Sequence, residues 1–411
     1  MGNGGSGGVR MIGTTPTTAG SGLLSSREFV LSELDKFDEK APITQARTPP
    51  ASWYNTGEFF GLEKQTLFRN NWQYAARAGS VGAEAGSYLH GVFLDQPYVI
   101  VRGHDGRVRA FHNVCSHHGA ALIRPEEPET GVAQQFVCCY HGWTFNLSGQ
   151  LTKATRVKGI ENFRNRDWGL QEIPVAQWGP FLFLWFGQGQ PSHSLHGDLQ
   201  PVSEWLTKFG YPADVGEGMV YHSSRTYELA CNWKIINENY LDGEYHIPYL
   251  HPGLNSSLDM GSYSLETYDR LSFQLAAPTA DEVVESEEKL GANFADRYGS
   301  GAVYAVYYPT FAINRFGNVL ESNYLLPRSE HSTTLVYDFF FDHRVISDHE
   351  YTTRAIKASH QVQTEDSGIC ELLHRNMKSA GFRSGRYAPG PEKVTHHFHT
   401  CLARDLKSPF R

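Results

Sequence analysis

Apolar positions fall into two regimes along the chain. From about residue 72 to 190 they come in short runs separated by turn residues. Pro97-Tyr-Val-Ile-Val-Arg102 and Arg107-Val-Arg-Ala-Phe111 flank Asp105-Gly106, which marks a hairpin. Pro180-Phe-Leu-Phe-Leu-Trp-Phe186 is a continuous apolar run of buried-strand length. Phe145-Asn-Leu-Ser-Gly149 makes another turn, and Arg124-Pro-Glu-Glu-Pro-Glu-Thr-Gly131 reads as a polar surface loop. These elements predict a small β domain. From about 191 onward strands and helices mix. Ala302-Val-Tyr-Ala-Val-Tyr-Tyr308 and Thr333-Thr-Leu-Val-Tyr-Asp-Phe-Phe-Phe341 read as strands, and 234–246 and 355–377 as helices.

Composition agrees with two folded domains behind a tail. Residues 1–26 are rich in Gly, Ser and Thr, have one Arg and no acid, and read as disordered. Met1-Gly-Asn-Gly-Gly-Ser6 fits a myristoylation pattern, which a Gly-rich tail also meets by chance. Low acid and high Ser are marks of a transit peptide, and the scarcity of Arg counts against one. The 411 residues suffice for two sizeable cores. A net charge of −8 without a basic cluster argues against nucleic acid. No run approaches the roughly 18–20 apolar residues of a membrane span.

Two stretches each offer one thiolate and one imidazole: Cys115-Ser-His117 and Cys138-Cys139-Tyr140-His141-Gly142-Trp143. Two Cys and two His are the ligand set of a Rieske [2Fe–2S] centre, Cys on one iron and His on the other. A structural zinc site uses the same four residues, but usually pairs Cys with Cys and His with His. Mixed pairs at this tight spacing suit a cluster held at the tips of two loops, which favours the Rieske assignment. Cys138 leaves two residues before His141 and Cys139 leaves one, so Cys138 is the preferred ligand and Cys139 its rival. Cys139, Cys231, Cys370 and Cys401 otherwise read as buried or partly buried thiols. Reduced, ligand-bound cysteines suit a cytoplasmic-type compartment, or a chloroplast stroma if residues 1–26 are a transit peptide.

A second metal site follows within Cys231-Asn-Trp-Lys-Ile-Ile-Asn-Glu-Asn-Tyr-Leu-Asp-Gly-Glu-Tyr-His-Ile-Pro-Tyr-Leu-His251. Asp242 and His246 are four apart and share a helical face. Pro248 should end the helix just before it, and His251 then returns toward His246. Two imidazoles and one carboxylate form the facial triad of non-haem Fe(II) oxygenases. Spacing alone leaves the third ligand open.

With these residues the chain resembles the α subunit of a Rieske non-haem iron oxygenase, over roughly residues 50–411. The resemblance rests on both cofactor stretches, on Cys231-Asn-Trp-Lys234, and on Asn239-Tyr-Leu-Asp242 running into Tyr245-His246-Ile-Pro-Tyr-Leu-His251. Within the family the chain is most similar to the choline-oxidising branch. The C-terminal block directs that comparison: Gln363-Thr-Glu-Asp366-Ser-Gly-Ile-Cys-Glu371, Ser384-Gly-Arg-Tyr-Ala-Pro389 and His396-His-Phe-His399.

The resemblance implies an α+β fold. A β-rich Rieske domain, 72–190, is inserted in a catalytic domain, 191–411, whose antiparallel sheet carries helices over one face in a helix-grip arrangement. Residues 27–71 are expected to pack on the catalytic domain. The third iron ligand falls on Asp366, with Glu365 a near rival. Many members bridge the two metal sites through an Asp three residues before the first ligand His, where this chain has Gly243. Asp242 and Glu244 flank it, and the choline-type pattern places the acid at Asp242. Asn239 matches a family amide that supports the ligands. A ring-shaped homotrimer or larger is implied, with electrons crossing between subunits. A separate ferredoxin or flavin reductase must supply them, since no Gly-rich dinucleotide fingerprint follows a strand. O2 is the co-substrate.

A quaternary ammonium substrate has no N–H to donate, so aromatic faces must hold it, at about 0.5–2 kcal/mol each. Tyr304, Tyr307, Phe311 and Phe316 are candidates for that cage, with Glu244 or Glu321 as a complementary acid. Choline oxidation to betaine aldehyde hydrate is the leading reading. A carnitine-like or betaine monooxygenase and an arene dioxygenase share every metal ligand with it. A Rieske electron carrier with no iron at the triad is the reading from another class.

Overall fold

The structure, a computed structural model, describes residues 26–251, 255, 261, 263–276 and 301–411. The expected disordered tail, with its myristoylation and transit-peptide patterns, lies outside the described residues apart from Ser26. No helix among the described residues is long and apolar enough to cross a membrane.

The largest sheet has seven antiparallel strands. Their order is Met219–Leu229, Ser332–Asp342, Val319–Ser329, Phe311–Phe316, Ala302–Tyr307, Leu271–Ala276 and Ser264–Thr267. The expected strands at 302–308 and 333–341 are both in it. Burial is nearly continuous along these and the other central strands, as in a sheet covered on both faces. Helices cover one face. Tyr337 donates to Gln363 of the His349–Asn376 helix at 2.8 Å, and Tyr240 of the Trp233–Leu241 helix donates to Asn314 at 2.5 Å. A three-stranded sheet of Gln73–Arg77, Phe181–Leu184 and Val175–Trp178 covers the other face. Phe181 meets Phe311 at 5.1 Å and Phe340 at 5.7 Å, and Tyr74 stacks on Phe311 at 5.2 Å. Aromatic pairs of this kind add about 0.5–1.5 kcal/mol each beyond their buried area.

A smaller core lies between two further sheets. One runs Thr130–Val132, Ser87–Phe93, Gln96–Arg102, Val108–His112, Glu172–Ile173, and the other Phe136–Val137, Thr144–Phe145, Leu151–Lys153. The strand Gln96–Arg102 joins the two cores through its period of two. Tyr98 and Ile100 belong to the larger core, Val99 and Val101 to the smaller. The hairpin at Asp105-Gly106 forms, with Gly106 at φ 77°. The polar stretch 124–131 is not loop throughout: Thr130 and Gly131 begin an edge strand paired with Tyr88 and Leu89. Three strand residues beside turn formers show no period to read.

The helix expected over 234–246 is two helices, Trp233–Leu241 and Gly243–Leu250, broken at Asp242 (φ −103°, ψ 26°). Pro248 does not end the second but sits inside it. The helix is short, Pro248 is exposed, and the bonding resumes at once with His251 N–H to the Ile247 carbonyl at 3.0 Å. The interruption that a proline brings is therefore confined to one carbonyl.

The Cys231-Asn-Trp-Lys run anchors these helices. Asn232 caps the first one by accepting from the Lys234 N–H at 3.1 Å, and donates to the carbonyls of Tyr54 and Glu330. Trp233 is fully buried and donates to Glu63 at 2.9 Å. Lys234 pairs with the other Glu63 oxygen, both side chains being fully buried. Burial pushes the Glu63 carboxyl up and the Lys234 ammonium down, so each charge persists only through its partner. Val30, Leu34, Phe37, Trp53 and Phe59, from the N-terminal segment, enter the same core. Lys234→Met is expected to cost about 3–5 kcal/mol by stranding the Glu63 charge, read as a lower urea midpoint. Adding Glu63→Leu should recover most of that loss. A single variant as stable as the parent would show the pair is not charged.

Candidate metal centres

Two turns of one design carry the first group of candidate ligands. The Cys115 N–H bonds the Ala120 carbonyl and the Cys138 N–H the Trp143 carbonyl, both at 2.8 Å. Gly119 N–H returns to the Cys115 carbonyl and Gly142 N–H to that of Cys138, both at 2.9 Å. Both glycines have positive φ, 76° and 70°, which a side chain would strain. Cys115 and Cys138 are both buried. Burial holds the Cys115 thiol above its usual range, Cys138 adds to this, and the backbone of His117 and His118 acts against it. Cys139 is exposed rather than buried, because the next residue of the turn faces outward.

His117 lies flat on Trp143, with centroids 4.5 Å apart and planes within 6°, and meets His141 at 4.8 Å. His117 Nδ1 is buried with no hydrogen-bond partner among the described residues. An unsatisfied buried nitrogen is costly, and an iron bound there would complete it. The donor set therefore fits a cluster held by Cys115, Cys138, His117 and His141. Ring nitrogens of His117, His118 and His141 lie within 4.8 Å of one another. The approach of His118 was not apparent from spacing. Thr155 holds the His141 carbonyl at 2.5 Å and Ser116 the Trp168 carbonyl at 2.7 Å, so the tip is tied to the loops beneath it. Tyr140 at the tip is exposed.

The second group gathers His246, His251 and Asp366, whose ligand atoms lie within 4.8 Å. His246 Nδ1 faces Asp242 Oδ1 at 2.5 Å, and His251 Nδ1 faces Glu365 Oε2 at 2.6 Å. Both rings thereby turn Nε2 toward Asp366, at 3.7 Å from His246 and 2.9 Å from His251. Carboxylates behind imidazoles are the usual means of fixing ring and tautomer at a metal. Burial lowers the His251 imidazole, but its bonds to Asp366 and Glu365 outweigh burial and raise it. The Asp242 carboxyl is raised by burial, against the pull of His246. Two nitrogens and one carboxylate on one side leave open positions, as in Fe(II) sites that meet O2. Glu365 thus stands behind His251 while Asp366 points at the shared centre. Adjacent residues on a helix point about 100° apart, so only one of them can reach it.

A cavity of about 600 Å³ opens beside this group. Asn239, Asp242 and His246 line it, with Tyr245, Glu238 and Glu392, whereas His251 and Asp366 do not. It therefore reaches His246 from the Nδ1 side. No Lys or Arg among the described residues lines it. Glu238 accepts from Tyr54 at 2.6 Å and from His399 at 2.9 Å, a buried network that sequence reasoning missed. Glu244 neither lines the cavity nor forms a hydrogen bond among the described residues, and burial raises its carboxyl. The four-residue aromatic cage does not form. Tyr304 and Phe316 lie on the helix-facing side of the sheet, 6.5 Å apart. Tyr307 and Phe311 lie on the opposite face against Phe183, because an odd separation on a strand reverses the side.

The chain matches two family models: "Rieske [2Fe-2S] domain" over residues 71–164 and "Ring hydroxylating alpha subunit (catalytic domain)" over residues 217–408. It is 38% identical to the chloroplastic choline monooxygenase of Arabidopsis thaliana, covering 93% of this chain and 89% of that protein. Among solved structures it resembles the quaternary ammonium Rieske monooxygenase CntA in complex with L-carnitine, with a TM-score of 0.72 and 23% identity over 90% of this chain and 99% of that one. It also resembles naphthalene 1,2-dioxygenase from Rhodococcus sp., with a TM-score of 0.69 and 16% identity over 92% and 98% of the two chains. At these identities the two structures establish the shared fold.

Metal analysis should find about three irons per chain, two in the cluster and one at the triad. His246→Ala should lose the third iron and keep the visible cluster spectrum. Cys138→Ser should bleach that spectrum and Cys139→Ser should not. Loss of the cluster in His246→Ala would contradict two separate centres.

Proposed function

The chain belongs to the Rieske non-haem iron oxygenases, and we propose that it is a monooxygenase that hydroxylates a small quaternary ammonium compound, choline foremost. The observation that carries the chemistry is the convergence of His246 Nε2, His251 Nε2 and Asp366, each imidazole fixed by a carboxylate behind it. Chain-long similarity to a choline monooxygenase supports the substrate. A carnitine-like substrate is the second reading, since relatives named carnitine monooxygenase oxygenase subunits match at 25–26% identity.

In this reading the smaller core within residues 72–190 is the electron-accepting domain and 191–411 the catalytic one, while Gln73–Arg77, Val175–Trp178 and Phe181–Leu184, expected in the former, pack on the catalytic sheet. Cys115, Cys138, His117 and His141 hold the [2Fe–2S] cluster, and His246, His251 and Asp366 hold Fe(II). When bound, the cluster accepts single electrons and the iron supplies the centre at which O2 is used. Choline would gain a hydroxyl on its carbinol carbon, giving betaine aldehyde hydrate, the entry to glycine betaine, while the other oxygen atom leaves as water.

The chain's own residues have two tasks. The turns present His141 at an exposed tip, where a ferredoxin or flavin reductase can deliver electrons and a neighbouring subunit can receive them. Asp242 holds His246 Nδ1 from the cavity side, which a neighbour's tip can approach in a homotrimer or larger ring. Asp242 is thus favoured over Glu244 as the bridge between centres. Asn239 borders the same cavity, seven residues before His246.

The test is a single turnover. Enzyme reduced chemically without oxygen is mixed with choline, exposed to O2, and betaine aldehyde is measured. Product near one equivalent per active site supports choline. Reoxidation hastened by choline without product points to another ammonium compound. No product and no effect of choline, carnitine or betaines removes the ammonium reading and leaves the family assignment.

A further inference from the structure

Central strands of a sheet covered on both faces are ordinarily apolar. One row of this sheet is not. Gln274, Tyr304, Asn314 and Glu321 stand directly opposite one another on four adjacent strands, and so share one face. That face is the one under the site helices. Gln274 accepts from the Gly243 N–H at 3.1 Å, and Tyr240 donates to Asn314 at 2.5 Å. Asn314 donates to Glu321 Oε2 at 2.9 Å, and Ser359 donates to Glu321 Oε1. Ser359 and Asp366 are two turns apart on one helix, so they share a side and lie about 10 Å from each other.

Glu321 is the anomaly in the row. Buried carboxylates are ordinarily paired with cations. Glu321 is 3% exposed, and its partners are an amide and a hydroxyl. No Lys, Arg or His forms an ion pair with it among the described residues. Tyrosines stand around it. Burial first, and then neighbouring acidic groups including Glu321, hold the hydroxyls of Tyr240 and Tyr337 well above their usual range. Tyr337 also donates to Gln363 at 2.8 Å, one turn before Asp366 on the same helix. Asn323, next but one along the strand, is 5% exposed, and both ends of its amide are unpartnered among the described residues. It borders a small cavity with Asn239, Tyr240 and Gln363. Among the described residues the region is polar, buried and without a paired cation.

We propose that Glu321 is the counter-ion for the substrate's quaternary ammonium group, with Tyr304 and Tyr240 supplying ring faces beside it. This rests on the ammonium reading above and places that group within the site. An ammonium without N–H is recognised by charge and by ring faces rather than by hydrogen bonds. Ser359, which bonds Glu321, stands two helical turns, about 10 Å, from Asp366, a separation that a carbinol carbon at the triad and an ammonium group toward Glu321 can span.

The test compares choline with 3,3-dimethylbutan-1-ol, in which carbon replaces the charged nitrogen. Both are given to the parent enzyme and to Glu321→Gln in the single-turnover and steady-state assays, with the cluster spectrum as a folding control. The parent should prefer choline. Glu321→Gln should lose about 30-fold or more in kcat/KM for choline, chiefly through KM, and change little with the neutral alcohol. Glu321→Asp, which keeps the charge, should retain much of the preference. An unchanged preference in Glu321→Gln overturns the proposal. A parent enzyme that turns over no quaternary ammonium compound overturns the substrate reading itself. If Glu321→Gln fails to hold its cluster, Tyr304→Leu carries the comparison: a loss confined to choline supports the site, and equal loss for both compounds overturns it.

Discussion

Two imidazoles can share a metal only if neither ring is free to turn away. Here each is held from behind. Asp242 takes Nδ1 of His246 and Glu365 takes Nδ1 of His251, so both Nε2 atoms face Asp366. Much of the catalytic half serves that constraint. The Asp242 carboxylate reaches its histidine because Asp242 stands at the head of the helix that begins at Gly243, one turn before His246. Gln274 accepts from the Gly243 N–H beneath the break, so the sheet sets where the second helix begins. Glu365 and Asp366 come from a 28-residue helix capped by Asp348 and tied to the sheet through Gln363.

The platform under these helices is rigid because both faces of its sheet are occupied. Phenylalanines and tyrosines of the three-stranded sheet fill one side. On the other side the buried Glu63–Lys234 pair locks the first site helix to the N-terminal segment. Removing a partner from such a pair leaves a charge in a low-dielectric interior, so the pair fixes position more than it adds stability. The cluster turns, by contrast, rest on a separate small core that includes Cys115 and Cys138 themselves. One strand, Gln96–Arg102, sends alternate residues into each core and so couples the two halves.

Polar residues inside the catalytic sheet mark where packing was given up for recognition. A row containing Gln274, Asn314 and Glu321 is a costly choice for a buried face unless each group is bonded. The amides are bonded within the protein, and among the described residues no cation pairs with Glu321. That contrast distinguishes the row from the Glu63–Lys234 pair, whose charges answer each other.

The chain's own residue order was enough to single out most of the residues that the structure gathers into two groups of potential metal ligands. Cys115, His117, Cys138 and His141 are legible because two glycine-closed turns need their ligands at short, fixed spacing. Asp242 and His246 are legible because residues four apart on a helix meet. The strands at 302–308 and 333–341 were legible from β-branched and aromatic runs of the right length. What lay beyond the sequence was every relation between distant segments. Asp366 came from resemblance, and its distinction from Glu365 depends on which way a long helix is rotated against the sheet. The helix break at Asp242 and the tolerated Pro248 depend on bonds to Gln274 and on exposure, which local propensity does not contain. Tyr307 and Phe311 joined the wrong face because the aromatic pattern was read by proximity, not by strand period. The lone charge of Glu321 emerges only when four strands are brought into register, since register, not sequence neighbourhood, decides which buried groups share a face.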